Sequence, residues 1–392
     1  MKIMSINAGS SSLKFSLFNM ETKEVLVSGL FERIGTISAC YTIKYNGNKI
    51  KEEVELPDHK VAVHILLEKL IELNIVSSLD ELNGIGHRIV HGGRYYKEST
   101  IVTDKVIKDI YDLADLAPLH NKAHVLGIEA FKEALPNVPM VVVFDTAFHQ
   151  TMEEVNYLYP LPLSWASDFG VRKYGFHGTS HRYIAKTVAE YLDNKNLKII
   201  SCHLGNGGSV TAIKDGKCID TSMGFTPLAG IMMGTRCGDI DPSIIPYIME
   251  KLGESASEII SDLNKKSGFL GLSEYSSDSR DIEEKVKEND PKAILAQKKF
   301  VRTVVKYISD YYVQLKGADV IAFAGGIGEN SISTRKAIIE ELACLGIELD
   351  DELNNTRGEL KLISKEGSTV KVLVVPTDEE LMIAIDTINL IR

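Results

Sequence analysis

Ile3 and Ile6, then Leu13, Phe15 and Leu17, sit among polar neighbours on either side of the small-residue run at 7–12. Alternation of this kind predicts strand, turn and strand, with a third strand over 25–30 after the turn-like residues 19–23. Apolar residues recur at helical spacing over 61–73, 106–116 and 125–135. The run at 138–144 is apolar on both faces, as strands of a buried parallel sheet are. The second half repeats the order. A strand over 198–202 enters a Gly-rich turn at 203–209, and a second strand (210–213), a turn (214–217) and a short third strand follow. A long helix over 293–315 then precedes a buried strand over 320–323, which ends in Gly-rich residues 324–330 leading into a helix from Ser331. A strand over 370–375 and a helix over 379–391 close the chain. This repeat of pattern predicts two α/β domains of related topology. Their boundary is expected near 150–165, around Tyr159-Pro160-Leu161-Pro162.

Composition narrows the function classes. The chain has 392 residues, 44% hydrophobic and 25% charged, with 54 acidic against 44 basic side chains and a net charge of -10. That balance argues against a nucleic-acid partner, which needs a basic field. The apolar runs are far shorter than the ~20 residues that span a bilayer, so no membrane is expected. The first residues turn polar too soon for a signal peptide. Five cysteines without a C-x-x-C pair suit a reducing cytoplasm better than a disulfide framework.

The 30 glycines gather in clusters. Successive backbone N–H groups in a Gly/Ser turn can converge on an anion, and glycine lets the chain approach it closely. Residues 7–12, 203–209 and 325–330 fit this, each directly after a buried strand. One such cluster alone is more often a plain turn; three favour phosphate binding. The P-loop pattern is absent, Gly326-Ile327-Gly328 lacks the third glycine of a dinucleotide fingerprint, and no protein-kinase glycine loop occurs. The stretch 220–242 has neither strand nor helix periodicity, and irregular loops of that length tend to be functional. Arg236 at its centre is a candidate clamp for a carboxylate or phosphate, although a salt-bridged arginine is the commoner outcome. Six of the ten histidines form H-x-x-x-H pairs: His87/His91, His120/His124 and His177/His181. That spacing keeps a zinc hydrolase open as an alternative, without the glutamate of H-E-x-x-H.

Together, residues 5–15, 86–93 (Gly-His-Arg-Ile-Val-His-Gly-Gly), 144–149, 174–181, the loop 223–242 and 376–381 resemble the acetate and propionate kinase family, in order and from end to end. The resemblance implies the duplicated α/β fold shared by actin, Hsp70 and sugar kinases: two related domains with a central cleft. One would span 1–150, completed by a C-terminal helix over 378–392, and the other, nucleotide-binding, 151–377. It implies reversible transfer of the γ-phosphoryl group of ATP to acetate, giving acetyl phosphate and ADP, with Mg²⁺ or Mn²⁺, in a cytoplasmic homodimer. Arg88, Asp145, His177 and Arg236 match the catalytic positions. Arg88, Val90, Leu119, Phe176 and Pro227 match the acceptor pocket, and Asn7 and Glu379 the metal positions. Lys14, His203, Leu204, Gly205, Asn206, Gly207, Asp278, Ser279, Arg280, Gly326, Ile327, Gly328, Glu329 and Asn330 match the ATP site. Acetate is already ionised at neutral pH, since carboxyl groups titrate near pH 4. Asp145 is therefore expected to orient Arg88 or the metal more than to move a proton. Cys237 and Asp378 stand where many members carry Ser and Asn. The bulk of Val90 favours acetate over propionate, the alternative acceptor. A non-catalytic ATPase-fold binding protein would explain the glycines but not the set of Arg88, His177 and Arg236.

Overall fold

The alternating start of the chain folds as an antiparallel ribbon of β1 (Lys2–Ala8), β2 (Ser12–Asn19) and β3 (Glu24–Glu32), with Ile3 opposite Phe18 and Ala8 opposite Leu13. In this computed structural model, residues 1–115 and 120–392 are described. Two strands that the pattern did not predict, β4 (Cys40–Tyr45) and β5 (Asn48–Glu53), extend the ribbon. β5 is polar at all but one position, as suits an edge strand that must not recruit another chain. On the other side of β1 lie β6 (Leu82–Ile89) and β8 (Met140–Phe144), both parallel, with the short β7 (Thr100–Ile101) antiparallel at the edge. The sheet order is β5-β4-β3-β2-β1-β6-β8-β7.

The second sheet holds β9 (Lys198–Leu204), β10 (Gly208–Lys214), β11 (Lys217–Thr221), β12 (Val320–Ala324), β13 (Lys361–Leu362) and β14 (Lys371–Val374). Its order is β11-β10-β9-β12-β14-β13. The pairings β9–β10 and β10–β11 are antiparallel, β9–β12 and β12–β14 parallel, and β13–β14 antiparallel. Strand for strand, this repeats β3-β2-β1-β6-β8-β7 in order and direction. The duplicated α/β fold is thus present as topology, although the two halves share little sequence.

Chain contacts divide the protein into two compact units, Met1–Ala147 with Asp378–Arg392, and Phe148–Thr377. The cut falls between Ala147 and Phe148, and Tyr159-Pro160-Leu161-Pro162 lies inside the second unit. In the first unit, helices His59–Glu72 and Asn121–Ala134 bury Leu66, Leu70 and Phe131 against the sheet. The helix expected over 106–116 spans Asp104–Asp112 and tightens into a 3-10 turn, Leu113–Asp115; Leu116 lies outside the described residues. In the second unit the long helix Pro291–Gln314 starts at Asp290, whose side chain caps Ala293 N, with proline in the first turn where no N–H is needed.

One turn differs from expectation. Residues Gly325–Asn330 form a short helix of their own, and the following helix, Ile332–Glu341, is capped by the Ser331 side chain through Thr334 N. The cause is Glu329, whose carboxylate turns back and accepts from Gly325 N at 2.9 Å. Among the described residues, no helix is long and apolar enough to cross a membrane.

Candidate active site

In the first unit the chemistry collects at the carboxyl ends of parallel strands, where open α/β sheets hold ligands. Arg88 lies opposite Val143 in the β6–β8 ladder, and Asp145 N donates to Ile89 O at 2.9 Å, which extends the ladder past the end of β8. The two side chains meet there. Arg88 Nε donates to both carboxylate oxygens at 3.1 and 3.2 Å, and Nη2 donates to Oδ2 at 2.7 Å. Asp145 is buried, while a quarter of Arg88 remains accessible. The carboxylate raises the guanidinium pKa above its already high value, so the arginine stays charged.

The C-terminal helix Glu379–Ile391 packs on the same strands. Gly84 and Gly86 of β6 make that approach possible: a Cβ on Gly86 would meet Thr387 Oγ1 at 2.3 Å and Ile383 Cγ2 at 2.5 Å. The helix is capped by Asp378, which accepts from Leu381 N at 2.8 Å. Asparagine would cap as well, so either residue at 378 keeps the helix start. The cap places Glu379 within the field of Arg88, Asp145 and Lys14. Burial pushes the Glu379 carboxyl up to about 7, an effect Arg88 only partly offsets. Asn7, near the end of β1, pairs in register with Lys14. Lys14 itself forms an ion pair with Glu380, on a half-exposed side chain.

The second unit carries the other predicted residues. Strand β9 ends in His203 and Leu204, and the tight turn Gly205–Gly207 reverses the chain into β10. The loop that follows β11 is irregular but internally bonded: Gly234 N donates to Asn206 O at 2.9 Å, Met233 N to Arg236 O at 3.1 Å, and Gly230 N to Asp239 Oδ1 at 2.8 Å. It brings Arg236 against the turn. A Cβ on Gly207 would lie 3.4 Å from Arg236 Nη1 and 3.6 Å from His177 Nε2. Arg236 Nη1 donates to Pro227 O at 3.2 Å, and no carboxylate pairs with it among the described residues. Burial lowers its pKa with nothing opposing. A half-buried cation without a counter-charge is an anion site in waiting.

His177 takes a left-handed backbone (φ 57°) and immediately precedes helix Gly178–Tyr191. Its ring lies 4.3 Å from that of His203, centroid to centroid. Its Nδ1 is 3.0 Å from Ser209 Oγ. Phe176 O is held by His149 Nε2 at 2.8 Å, which fixes the residue before it.

Beside these groups is a cavity of about 600 Å³. Gly205 and Asn206, Asp278 to Arg280, and Gly326, Ile327 and Asn330 all face it, so three of the predicted segments converge. Asp278 caps the helix Ser279–Lys287 and holds Arg280 Nε in a salt bridge. Gly328 and Glu329 lie behind the surface, where their carbonyls accept from the buried Arg335 at 2.9 and 3.0 Å. Ser277, Glu283, Ser331 and Arg357 also line the cavity. Nothing in the local sequence distinguished these four from ordinary helix and loop residues.

The acceptor-pocket residues are divided. Val90 follows β6 in the first unit and is buried; Phe176 is buried and Pro227 half-buried in the second. Leu119 lies outside the described residues. The H-x-x-x-H pairs do not behave as zinc sites. His87 sits edge-on to Phe131, and burial pushes the pKa of His87 and His124 down to about 3. Among the described residues, no group of three or more His, Cys, Asp or Glu is placed to hold a metal ion.

The chain is similar to known proteins over its whole length. The chain is 55% identical over 393 residues to the acetate kinase of Bacillus subtilis (strain 168), covering all of both chains. It is 56% identical to that of Anoxybacillus flavithermus, over 99% of this chain and 98% of the other. The crystal structure of Porphyromonas gingivalis acetate kinase matches with a TM-score of 0.96 at 42% identity, covering all of both chains. That of a propionate kinase from Francisella tularensis matches at 0.94 and 42% identity, over 99% of each. The model of the Acetokinase family matches residues 2–385, and the chain belongs to that family.

Proposed function

We propose that the protein transfers the γ-phosphoryl group of MgATP to acetate, reversibly, giving acetyl phosphate and ADP. The observation that carries this reading is Arg236, a half-buried cation without a carboxylate partner, beside the Gly207 turn and His177. Phosphoryl transfer asks the protein mainly for in-line positioning and neutralisation of spread charge. Acetate and ATP are both anions, so cationic groups must hold them together. Arg236 supplies a planar donor fork for the transferring group, and His177 Nε2 donates to its equatorial oxygens. Arg88 receives the acceptor carboxylate. Asp145 grips one edge of its guanidinium and leaves Nη1 turned away from the pair.

The second unit is the nucleotide-binding one in this reading. The turn at 203–207 takes the phosphates, and the cavity bounded by Asp278 to Arg280 and Gly326 to Asn330 takes the adenosine. Lys14, at present tied to Glu380, assists the phosphates by exchanging that partner for them.

The metal donors of the family suit a hard divalent cation. Glu379 is a half-buried carboxyl whose pKa is raised chiefly by desolvation, with Asp145 and Glu380 adding to the effect, and Asn7 adds a neutral oxygen. Glu379 and Asn7 would hold Mg²⁺, which would supply positive charge to neutralise the phosphates during transfer. Asp145 contributes to the same field while keeping Arg88 oriented.

Apolar bulk on the second unit supports a homodimer. Helices Leu163–Phe169 and Ile244–Leu252 bury no residue in this chain, and Phe169, Tyr247 and Leu252 are 71%, 60% and 61% exposed. The free cysteines suit a reducing cytoplasm. Propionate remains a second acceptor because one methylene is worth only ~1–3 kcal/mol of discrimination. The reaction run backwards tests the proposal: acetyl phosphate with MgADP should yield ATP in a coupled assay, and no ATP from acetyl phosphate or propionyl phosphate would overturn it.

A further inference from the structure

Behind His177 runs a chain of buried hydrogen bonds that the transfer reaction does not by itself require. Ser201 Oγ is 2.8 Å from His181 Nδ1, His181 Nε2 is 2.7 Å from Ser209 Oγ, and Ser209 Oγ is 3.0 Å from His177 Nδ1. Ser201, Ser209 and His181 are wholly buried. Ser201 and Ser209 lie on the adjacent antiparallel strands β9 and β10, and His181 lies one helical turn from His177. The distances leave open which atom of each pair carries the proton. The inventory of donors closes that question.

A hydroxyl has one proton to donate, and a neutral imidazole has one N–H and one bare nitrogen. Burial holds the His181 pKa well below its usual value, so that ring is neutral. With neutral rings and every bond made, three polarities are consistent, and two of them leave a buried hydroxyl proton without an acceptor. If His181 Nδ1–H donated to Ser201, the Ser201 hydroxyl proton would be left buried without an acceptor, because His181 is the one hydrogen-bond partner of that hydroxyl among the described residues. An orphaned buried donor is the costly arrangement. Ser201 therefore donates to His181 Nδ1. His181 then carries its proton on Nε2 and donates to Ser209 Oγ. If His177 Nδ1–H also donated to Ser209, the Ser209 proton would be orphaned in the same way, because the two histidines are the hydrogen-bond partners of that buried hydroxyl among the described residues, so Ser209 donates to His177 Nδ1. Neutral His177 is left with its proton on Nε2, the nitrogen that lies 3.6 Å from the Cβ position of Gly207.

We infer that Ser209, backed by His181 and Ser201, is a positioning residue that locks neutral His177 in the Nε2–H tautomer, with its donor aimed at the phosphate turn. This deepens the phosphoryl-transfer reading and rests on it for its purpose, but the tautomer itself follows from the buried network. In the opposite tautomer His177 would present a lone pair to anionic oxygens and would repel them. Two hydroxyls and a second histidine thus decide whether the ring is a donor or an obstacle.

Nitrogen-15 NMR of the histidine-labelled full chain reads the tautomer directly, with signals assigned through His177→Gln and His181→Gln. The wild-type protein should show a protonated Nε2 and a bare Nδ1 for both rings, and a protonated Nδ1 on either would overturn the inference. Ser209→Ala should leave His177 in a mixture of tautomers and lower kcat about 10–100-fold, with KM for ATP and acetate changed less than about threefold. An unchanged His177 tautomer in that variant would also overturn it. Should Ser209→Ala not fold, Ser201→Ala, two bonds further from the site, should release the His181 tautomer; a His181 ring still bare at Nδ1 and protonated only on Nε2 would contradict the chain of donors. Because the spectra need no turnover, a protein inactive on acetate but showing the expected tautomers would fail the activity reading and leave the network intact.

Discussion

Arg88 and Asp145 are bound edge to edge at the ends of neighbouring parallel strands, with Nε to Oδ1 at 3.1 Å and Nη2 to Oδ2 at 2.7 Å. The pair is asymmetric. Asp145 is buried and held by the backbone ladder, whereas Arg88 stays partly open to an incoming anion. Asp145 is therefore placed to aim the guanidinium. Asp145→Asn keeps the shape but loses the charge and half of the acceptor edge. We expect kcat/KM for acetate to fall about 100-fold, the usual cost of misplacing a reacting group by an ångström. Activity near that of the wild type would refute both an orienting and a proton-transfer role.

Arg236 is the counterpart without a carboxylate partner among the described residues. Removing it takes a half-buried, uncompensated charge out of the protein, so Arg236→Ala should leave the melting temperature unchanged or raise it. The same variant should lose about 10²–10³-fold in kcat, as loss of a transition-state donor does. A variant that melts much lower and keeps its kcat would make Arg236 a structural residue.

Histidine burial sets the acid limit of the fold. The pKa values of His87 and His124 are pushed down to about 3, and those of His91 and His149 to about 4, in each case chiefly by burial. As pH falls below about 6.5, the unfolded chain takes up protons that the folded protein refuses. The unfolded state then binds more protons, so stability is full above that pH and is lost on acidification. Each histidine adds a slope of up to about 1.4 kcal/mol per pH unit between its unfolded and folded values. Denaturant midpoints at pH 7.5 and 5.0 check this, and equal midpoints would contradict it.

Val90 is buried just past Ile89, two residues from Arg88. If its side chain bounds the acceptor, Val90→Ala should raise the propionate-to-acetate ratio of kcat/KM by about tenfold, within the range one to two methylenes allow. An unchanged ratio would remove Val90 from the pocket.

Much of the fold was legible in the sequence because burial writes a periodic signature. The β1–β3 ribbon, the all-apolar β8 and β12 and the long helix Pro291–Gln314 all follow from period-two, continuous or 3.6-residue patterns. β5 was not legible, because an exposed edge strand buries too little to leave a pattern. The short helix at Gly325–Asn330 was hidden by its glycines, which read as turn, while Glu329 closes it through a contact no local propensity records. At the site, the glycine clusters and Arg236 stood out as unusual composition. The Asp145 pair with Arg88 needed two strands to be adjacent. Ser201 had no signal at all, and Ser209 was marked only as the last residue of the cluster 203–209, although it lies in β10, since a serine that orders a histidine reads in sequence like any other buried serine. His181 was visible only as half of a zinc-like spacing, and the structure makes it part of a hydrogen-bond chain instead.

The most direct measurement mixes the protein with MgATP, acetate and hydroxylamine, and follows acetyl hydroxamate, which forms only from an activated acyl group. The account predicts hydroxamate that depends on acetate, ATP and the divalent metal together, and that drops about 10²–10³-fold in Arg236→Ala. No hydroxamate from acetate or propionate with the folded wild-type protein would contradict it.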